Sequence, residues 1–169
     1  ANSILSEAML CAYLVTGSSE YKDIARESFD FFLSKIFING KIKVISNKTW
    51  MQKNVDYANH HAGGEQPIDV AYTILALDKF YRVFEDLDYL KKMTIAFNWF
   101  HGRNHLNKII YNPCTGGCYD GLEDHGVNLN QGAESTISYL LARLTMEENG
   151  NVLNHTTGKD VFSLNVLAI

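Results

Sequence analysis

Gln66-Pro67-Ile68-Asp69-Val70-Ala71-Tyr72-Thr73-Ile74-Leu75-Ala76-Leu77-Asp78-Lys79-Phe80-Tyr81-Arg82-Val83-Phe84 has the texture of a helix from its second residue onward. Pro67 suits a first turn, where its missing N–H costs nothing. Ile68, Ala71, Tyr72, Leu75, Ala76, Lys79 and Phe80 fall at helical spacing. Asp69 lies in the first turn, where a carboxylate meets the positive end of the helix dipole. A turn follows at 86–88, and 89–100 returns with Leu90, Met93, Ala96, Phe97 and Phe100. A short turn between two helices makes them antiparallel neighbours.

The same hairpin stands 68 residues upstream without a gap: Tyr13 falls on Tyr81, Val15 on Val83, Tyr21 on Tyr89, Phe29 on Phe97, Phe31 on Trp99, Phe32 on Phe100 and Ile42 on Ile110. Such periodicity fixes an architecture before any motif does. Residues 3–15 carry Ile4, Leu5, Ala8, Met9, Ala12 and Val15 on one helical face, Thr16-Gly17-Ser18-Ser19 stops them, and 20–37 resumes with Ile24, Ala25, Phe29, Phe32, Leu33 and Ile36. The aromatic residues Phe29, Phe31, Phe32 and Trp99 read as core. A second helix start of this kind, Gln131-Gly132-Ala133-Glu134, repeats the Gln-to-acid spacing of Gln66 and Asp69 and opens a fifth helix with Ala133, Ile137, Leu140, Leu141 and Leu144. The expected fold is all-α: antiparallel helical hairpins forming a partial (α/α) toroid, with short β-hairpin-like loops at one rim.

Between the helices lie two long loops, 47–65 and 107–130, of the kind that compact domains keep for function. Short strands are expected at 41–45, after Asn39-Gly40, and at 109–111. No linker divides the chain, so residues 1–169 read as one domain. The start at Ala1, already helical and without a signal-peptide profile, reads as a cut in a longer chain. A net charge of -4 and the lack of a basic run argue against a nucleic-acid partner. No apolar run approaches the ~18 residues of a membrane span. Three cysteines do not suggest a disulfide framework. The expected setting is cytoplasmic, with Cys11 a small buried apolar group.

At Gly116-Gly117-Cys118-Tyr119-Asp120-Gly121-Leu122 and Asn128-Leu129-Asn130-Gln131-Gly132-Ala133-Glu134-Ser135-Thr136 the chain resembles the all-helical C-terminal module of certain bacterial glycosyltransferases of the retaining, two-Rossmann-domain type. In that group T-G-G-C-x-D-G-L leads into N-x-N-Q-G-A-E-S-T, and an earlier loop ends in Q-Q-P-I-E. Here the earlier element reads Glu65-Gln66-Pro67-Ile68-Asp69, departing at two acid or amide positions. The resemblance spans residues 5–144. That module is similar in turn to the (α/α) toroids of six-hairpin glycosidases, sugar epimerases and uronyl hydrolases. The resemblance implies sugar-related work without saying which reaction. No Gly-rich nucleotide fingerprint is present, so a nucleotide-sugar site would lie outside these residues, and no cofactor is implied.

In such an array the inner helices open toward one rim, bringing Gln66 and Asp69 beside Gln131 and Glu134. Glycoside chemistry uses two carboxyl groups roughly 5–9.5 Å apart, and neighbouring helices at about 8–10 Å can supply them. Asp69 and Glu134 are therefore the candidate catalytic pair, with Gln66 and Gln131 holding hydroxyls. The alternative is an acid at each helix start serving only the dipole, worth about 0.3–1 kcal/mol, or a partial capping arrangement.

Asp120 and His125 belong to the densest titratable stretch, Asp120 to His125, and are candidate sugar contacts. Trp50 and Tyr119, with Tyr57, are candidate stacking faces or pins for the loops. Cys114, Cys118 and His125 have a zinc-like spacing without paired knuckles, so no metal is expected. His60 and His61 read as ordinary loop histidines. Five helices leave an apolar flank open, which marks an interface. The expected partners are a saccharide or glycan, and either the remainder of a longer chain or a second copy. Against the carbohydrate reading stands a structural module whose rim only docks a partner.

Overall fold

The turn residues repeat more faithfully than the side chains between them. In the computed structural model, which describes residues 2–48, 53 and 63–150, helix α1 (Ser3–Thr16) ends on Gly17 at φ 72, whose N–H donates to the Tyr13 carbonyl at 2.8 Å. Helix α3 (Pro67–Phe84) ends on Glu85 at φ 54, whose N–H donates to the Tyr81 carbonyl at 2.8 Å. Both are left-handed C-caps that satisfy a last-turn carbonyl. Further on, Asn39 and Asn107 both adopt φ 52. Each pair is separated by the same 68 residues as Tyr13 and Tyr81.

Glu85 is the costly member, because a side chain in this conformation loses about 1 kcal/mol that glycine does not. Glu85→Gly is therefore expected to raise stability by about 1 kcal/mol, read as a higher urea midpoint at unchanged slope.

After Gly17 comes α2 (Ser19–Ile36) and after Glu85 comes α4 (Leu87–Phe100), opened by an Asp86 carboxylate that accepts from Asp88 N–H at 3.0 Å. Helix α5 (Ala133–Glu148) is the last described helix. α1 packs on α2 and α3 on α4, while α3 also lies between α1 and α5. The aromatic seam between the hairpins holds Phe29 against Phe80, ring centroids 4.0 Å apart, with Tyr89 closing it and donating its hydroxyl to Asp30 at 2.9 Å. Among the described residues, no helix is long and apolar enough to cross a membrane.

Among the described residues the connections carry three antiparallel strand pairs: β1 (Phe37–Ile38) with β2 (Lys41–Ile42), β3 (Tyr111–Asn112) with β4 (Gly117–Cys118), and β5 (Gly121–Leu122) with β6 (Val127–Asn128). The strand expected over 41–45 is only its first two residues, and that expected over 109–111 begins at Tyr111. Ile42 and Ile110, equivalent in the repeat, are both fully buried.

Burial departs from the periodic reading at the two ends of the helix row. In α1, Ile4, Leu5 and Val15 are exposed while Ser3, Ser6 and Leu10 face neighbours. In α5, Ile137, Leu140, Leu141 and Leu144 are exposed while Ser135, Ser138, Tyr139, Ala142, Thr145 and Met146 are buried. The cause is position in the row. Thr73 and Ala76 of α3 are buried, but their counterparts Leu5 and Ala8 in α1 are not, because α3 has a helix on both sides. Phe31 likewise is 65% exposed where its counterpart Trp99 is fully buried, which corrects its reading as core. Cys11 is half-buried, with Sγ 3.5 Å from the Lys79 ammonium, not enclosed by apolar groups.

Candidate functional site

Two loops meet between the starts of α3 and α5, and their backbones are tied together. Gly64 N–H and Glu65 N–H both donate to the Leu122 carbonyl, at 2.7 and 3.1 Å, and Leu122 N–H returns to the Glu65 carbonyl at 3.0 Å. Asn47 N–H reaches the Gly64 carbonyl at 3.0 Å. Gly121 makes this approach possible: a Cβ there would collide with the Glu65 carbonyl oxygen, and its φ is 156. The Lys48 ammonium bridges the loops from outside by pairing with Glu123.

The loops wall a cleft of about 350 Å³, which Gln66, Asp120, Glu134, Asn47, Asn128 and Glu123 line among others. Gln66 is the residue before α3 and Gly132 the residue before α5, and neither helix start is capped by its own side chain. First-turn N–H groups lacking an intrahelical acceptor are ready donors. α3 and α5 therefore run parallel, with their positive ends at one place.

Asp120 is the organiser of the α5 start. Its Oδ1 accepts from Gly132 N–H at 2.8 Å and from the Ser135 hydroxyl at 2.7 Å, and its Oδ2 accepts from the Asn130 amide. These donors, Asn130 first, hold its carboxyl below the usual carboxylate range. Asp69 is half-buried in the first turn of α3. Burial first, with the negative charge of Glu134 adding, raises its carboxyl above the ordinary value. Asp69 and Glu134 thus share a field from the first turns of two different helices.

Of the residues singled out in the sequence, Gln66, Asp120 and Glu134 line this cleft and Asp69 lies within the field of Glu134. Three others lie elsewhere. Gln131 turns to the β3–β4 hairpin, accepting the Thr115 hydroxyl at 2.8 Å over Gly117. Tyr119 packs against the core, its hydroxyl accepting the Asn112 amide at 3.0 Å. His125 is exposed in the β5–β6 turn. Gln131 is held by the Thr115 hydroxyl in the β3–β4 turn, Tyr119 lies between β4 and β5 against the core, and His125 lies in the β5–β6 turn. Trp50, Tyr57, His60 and His61 lie outside the described residues.

Cys118 is buried, and burial first, then the charge of Asp120, pushes its thiol up to about 12. Cys114 is exposed. Among the described residues, no group of three or more His, Cys, Asp or Glu side chains could hold a metal ion. The residues that the motif reading passed over are Asn47, Asn128 and Ser135, all beside the cleft. Ser135 and Asn128 stand inside the motif itself, which was their only signal.

The arrangement offers carboxylates and amides to hydroxyl groups, plus helix-start N–H donors. Compared with protein-family models and with curated protein sequences, the chain matches none.

Proposed function

We propose that the chain is a saccharide-binding helical domain, the accessory module of a glycosyltransferase, and that its hairpins are part of an (α/α) ring whose rim carries the binding cleft. The supporting observation is the meeting of Gln66, Glu134 and Asp120 in one polar cleft at the starts of two parallel helices, with Asp69 in the first turn of one of them and within the field of Glu134. Sugar hydroxyls satisfy carboxylates and amides together, and charged partners make the stronger hydrogen bonds.

The test is a binding screen of glycans and nucleotide-sugars. Neutral glycans are expected to bind and nucleotide-sugars are not, because the carboxylates of Asp120, Glu123 and Glu134 in the cleft wall repel a diphosphate. The variant carrying both Asp69→Asn and Glu134→Gln is expected to lose about tenfold in glycan affinity, the worth of one charge-assisted hydrogen bond. Unchanged affinity in that variant, or tight binding of a nucleotide-sugar, would overturn the proposal.

A second reading, a docking module that self-associates, is favoured by the exposed aliphatic side chains of α1 and α5. It expects a concentration-dependent mass in light scattering that Leu140→Glu and Leu144→Glu together return to the monomer. A monomer at all concentrations would remove it.

A further inference from the structure

Glu65 is the only charged side chain fully buried among the described residues. Its Oε2 accepts the Trp99 indole N–H at 3.0 Å. Its Oε1 lies 2.8 Å from His105 Nδ1. With the ring proton on Nε2 alone, both of those atoms would be buried without a partner. A proton held between Glu65 Oε1 and His105 Nδ1 gives both atoms a partner. A buried carboxylate is costly, and an apolar side chain of similar volume is commonly neutral or better for stability. Fold stability alone does not account for an acid here.

The backbone of the same residue supplies the other half of the picture. Glu65 N–H and C=O pair in both directions with Leu122, in the hairpin that directly follows Asp120. The next residue, Gln66, begins the cleft wall, and Asp69 follows in the first turn of α3. One side chain thus ties the end of α4 and the 101–109 loop to the point where α3 starts.

We infer that Glu65 is a positioning residue of the cleft: anchored by Trp99 and His105, it holds Gln66 in the cleft wall and fixes the α3 start that carries Asp69. What the cleft binds rests on the saccharide reading above, whereas the role of Glu65 is tested without any ligand. The readout is the titration of the Asp69 carboxyl, followed by carbon NMR in the folded protein, beside thermal unfolding. Glu65→Gln keeps an acceptor for Trp99 and a partner for His105, and is expected to leave the Asp69 titration at its wild-type position.

Glu65→Leu removes both anchors and is expected to move that titration down toward the ordinary carboxylate range. Trp99→Phe, which keeps a ring and removes one donor, is expected to move it in the same direction, and it decides the matter if Glu65→Leu does not fold. An Asp69 titration unchanged in Trp99→Phe, and in Glu65→Leu where folded, would overturn the role even if stability fell. A failed glycan screen with a shifted Asp69 titration would sink the saccharide reading and leave Glu65 as the positioning residue.

Discussion

Gly121→Ala is expected to destabilise the protein by about 3 kcal/mol, at the upper end of ordinary single substitutions. The new Cβ would run into the Glu65 carbonyl oxygen, a backbone atom that cannot swing aside like a side-chain tip. That carbonyl accepts Leu122 N–H at 3.0 Å, and the neighbouring Leu122 carbonyl accepts two N–H groups. Separating the strands leaves several buried backbone groups unpaired, each costing about 1–3 kcal/mol. Gly126 is the control: it lies in the adjoining turn, and a Cβ there would meet nothing within 4 Å. Gly126→Ala should stay within about 0.5 kcal/mol of wild type. Urea midpoints of the two variants decide it, and equal effects would show that the loop junction tolerates opening.

Asp120→Ala is the second large effect, an expected loss of about 2–3 kcal/mol. Three donors would lose their acceptor: the Gly132 N–H, the Ser135 hydroxyl and the Asn130 amide. Ser135 is buried, so water does not fully replace the lost partner. The pH dependence carries its own sign. The folded carboxyl lies below the ordinary value, so its stabilisation is fully present above about pH 3.9 and is lost as pH falls through the folded value. Asp120→Ala should therefore flatten the acid limb of a stability profile.

Asp69 contributes the opposite sign, because its folded carboxyl is raised. It binds its proton more tightly folded than unfolded, so stability declines as pH rises from the ordinary carboxylate value through the folded one. Asp69→Asn should remove that decline. Profiles of the two variants that bend the same way would contradict the geometry described for the cleft.

Much of the fold was legible because helix and turn signals are local. Pro67 at the start of α3, the stop after Thr16 and the acids at 86–88 are read from a few neighbouring residues, and the helices begin and end there. The aromatic repeat also predicted that Phe29 and Trp99 would serve the core, and both are buried, whereas Phe31 is exposed. Faces were less legible. Leu5 and Ile137 have the spacing of core residues yet are exposed, because among the described residues α1 and α5 are the two ends of the row in which α3 is the middle.

For the site, a motif gives spacing along the chain but no direction in space. Gln66 and Gln131 look equivalent in sequence. One lines the cleft, and the other is drawn to the Thr115 hydroxyl by the β3–β4 hairpin. Glu65 looked like a variant letter in a loop. Its partners Trp99 and His105 are 34 and 40 residues away in the chain, beyond the reach of any local pattern.

By itself the sequence determined the helical hairpins, their 68-residue recurrence and the acids at the helix starts, since backbone hydrogen bonding, caps and turn chemistry act over a few residues. The tertiary structure alone decided which apolar faces are covered, which of two like glutamines meets the cleft, and that one acid is buried between an indole and an imidazole. Burial and electrostatic environment are set by whatever packs alongside, and that neighbour comes from a distant part of the chain.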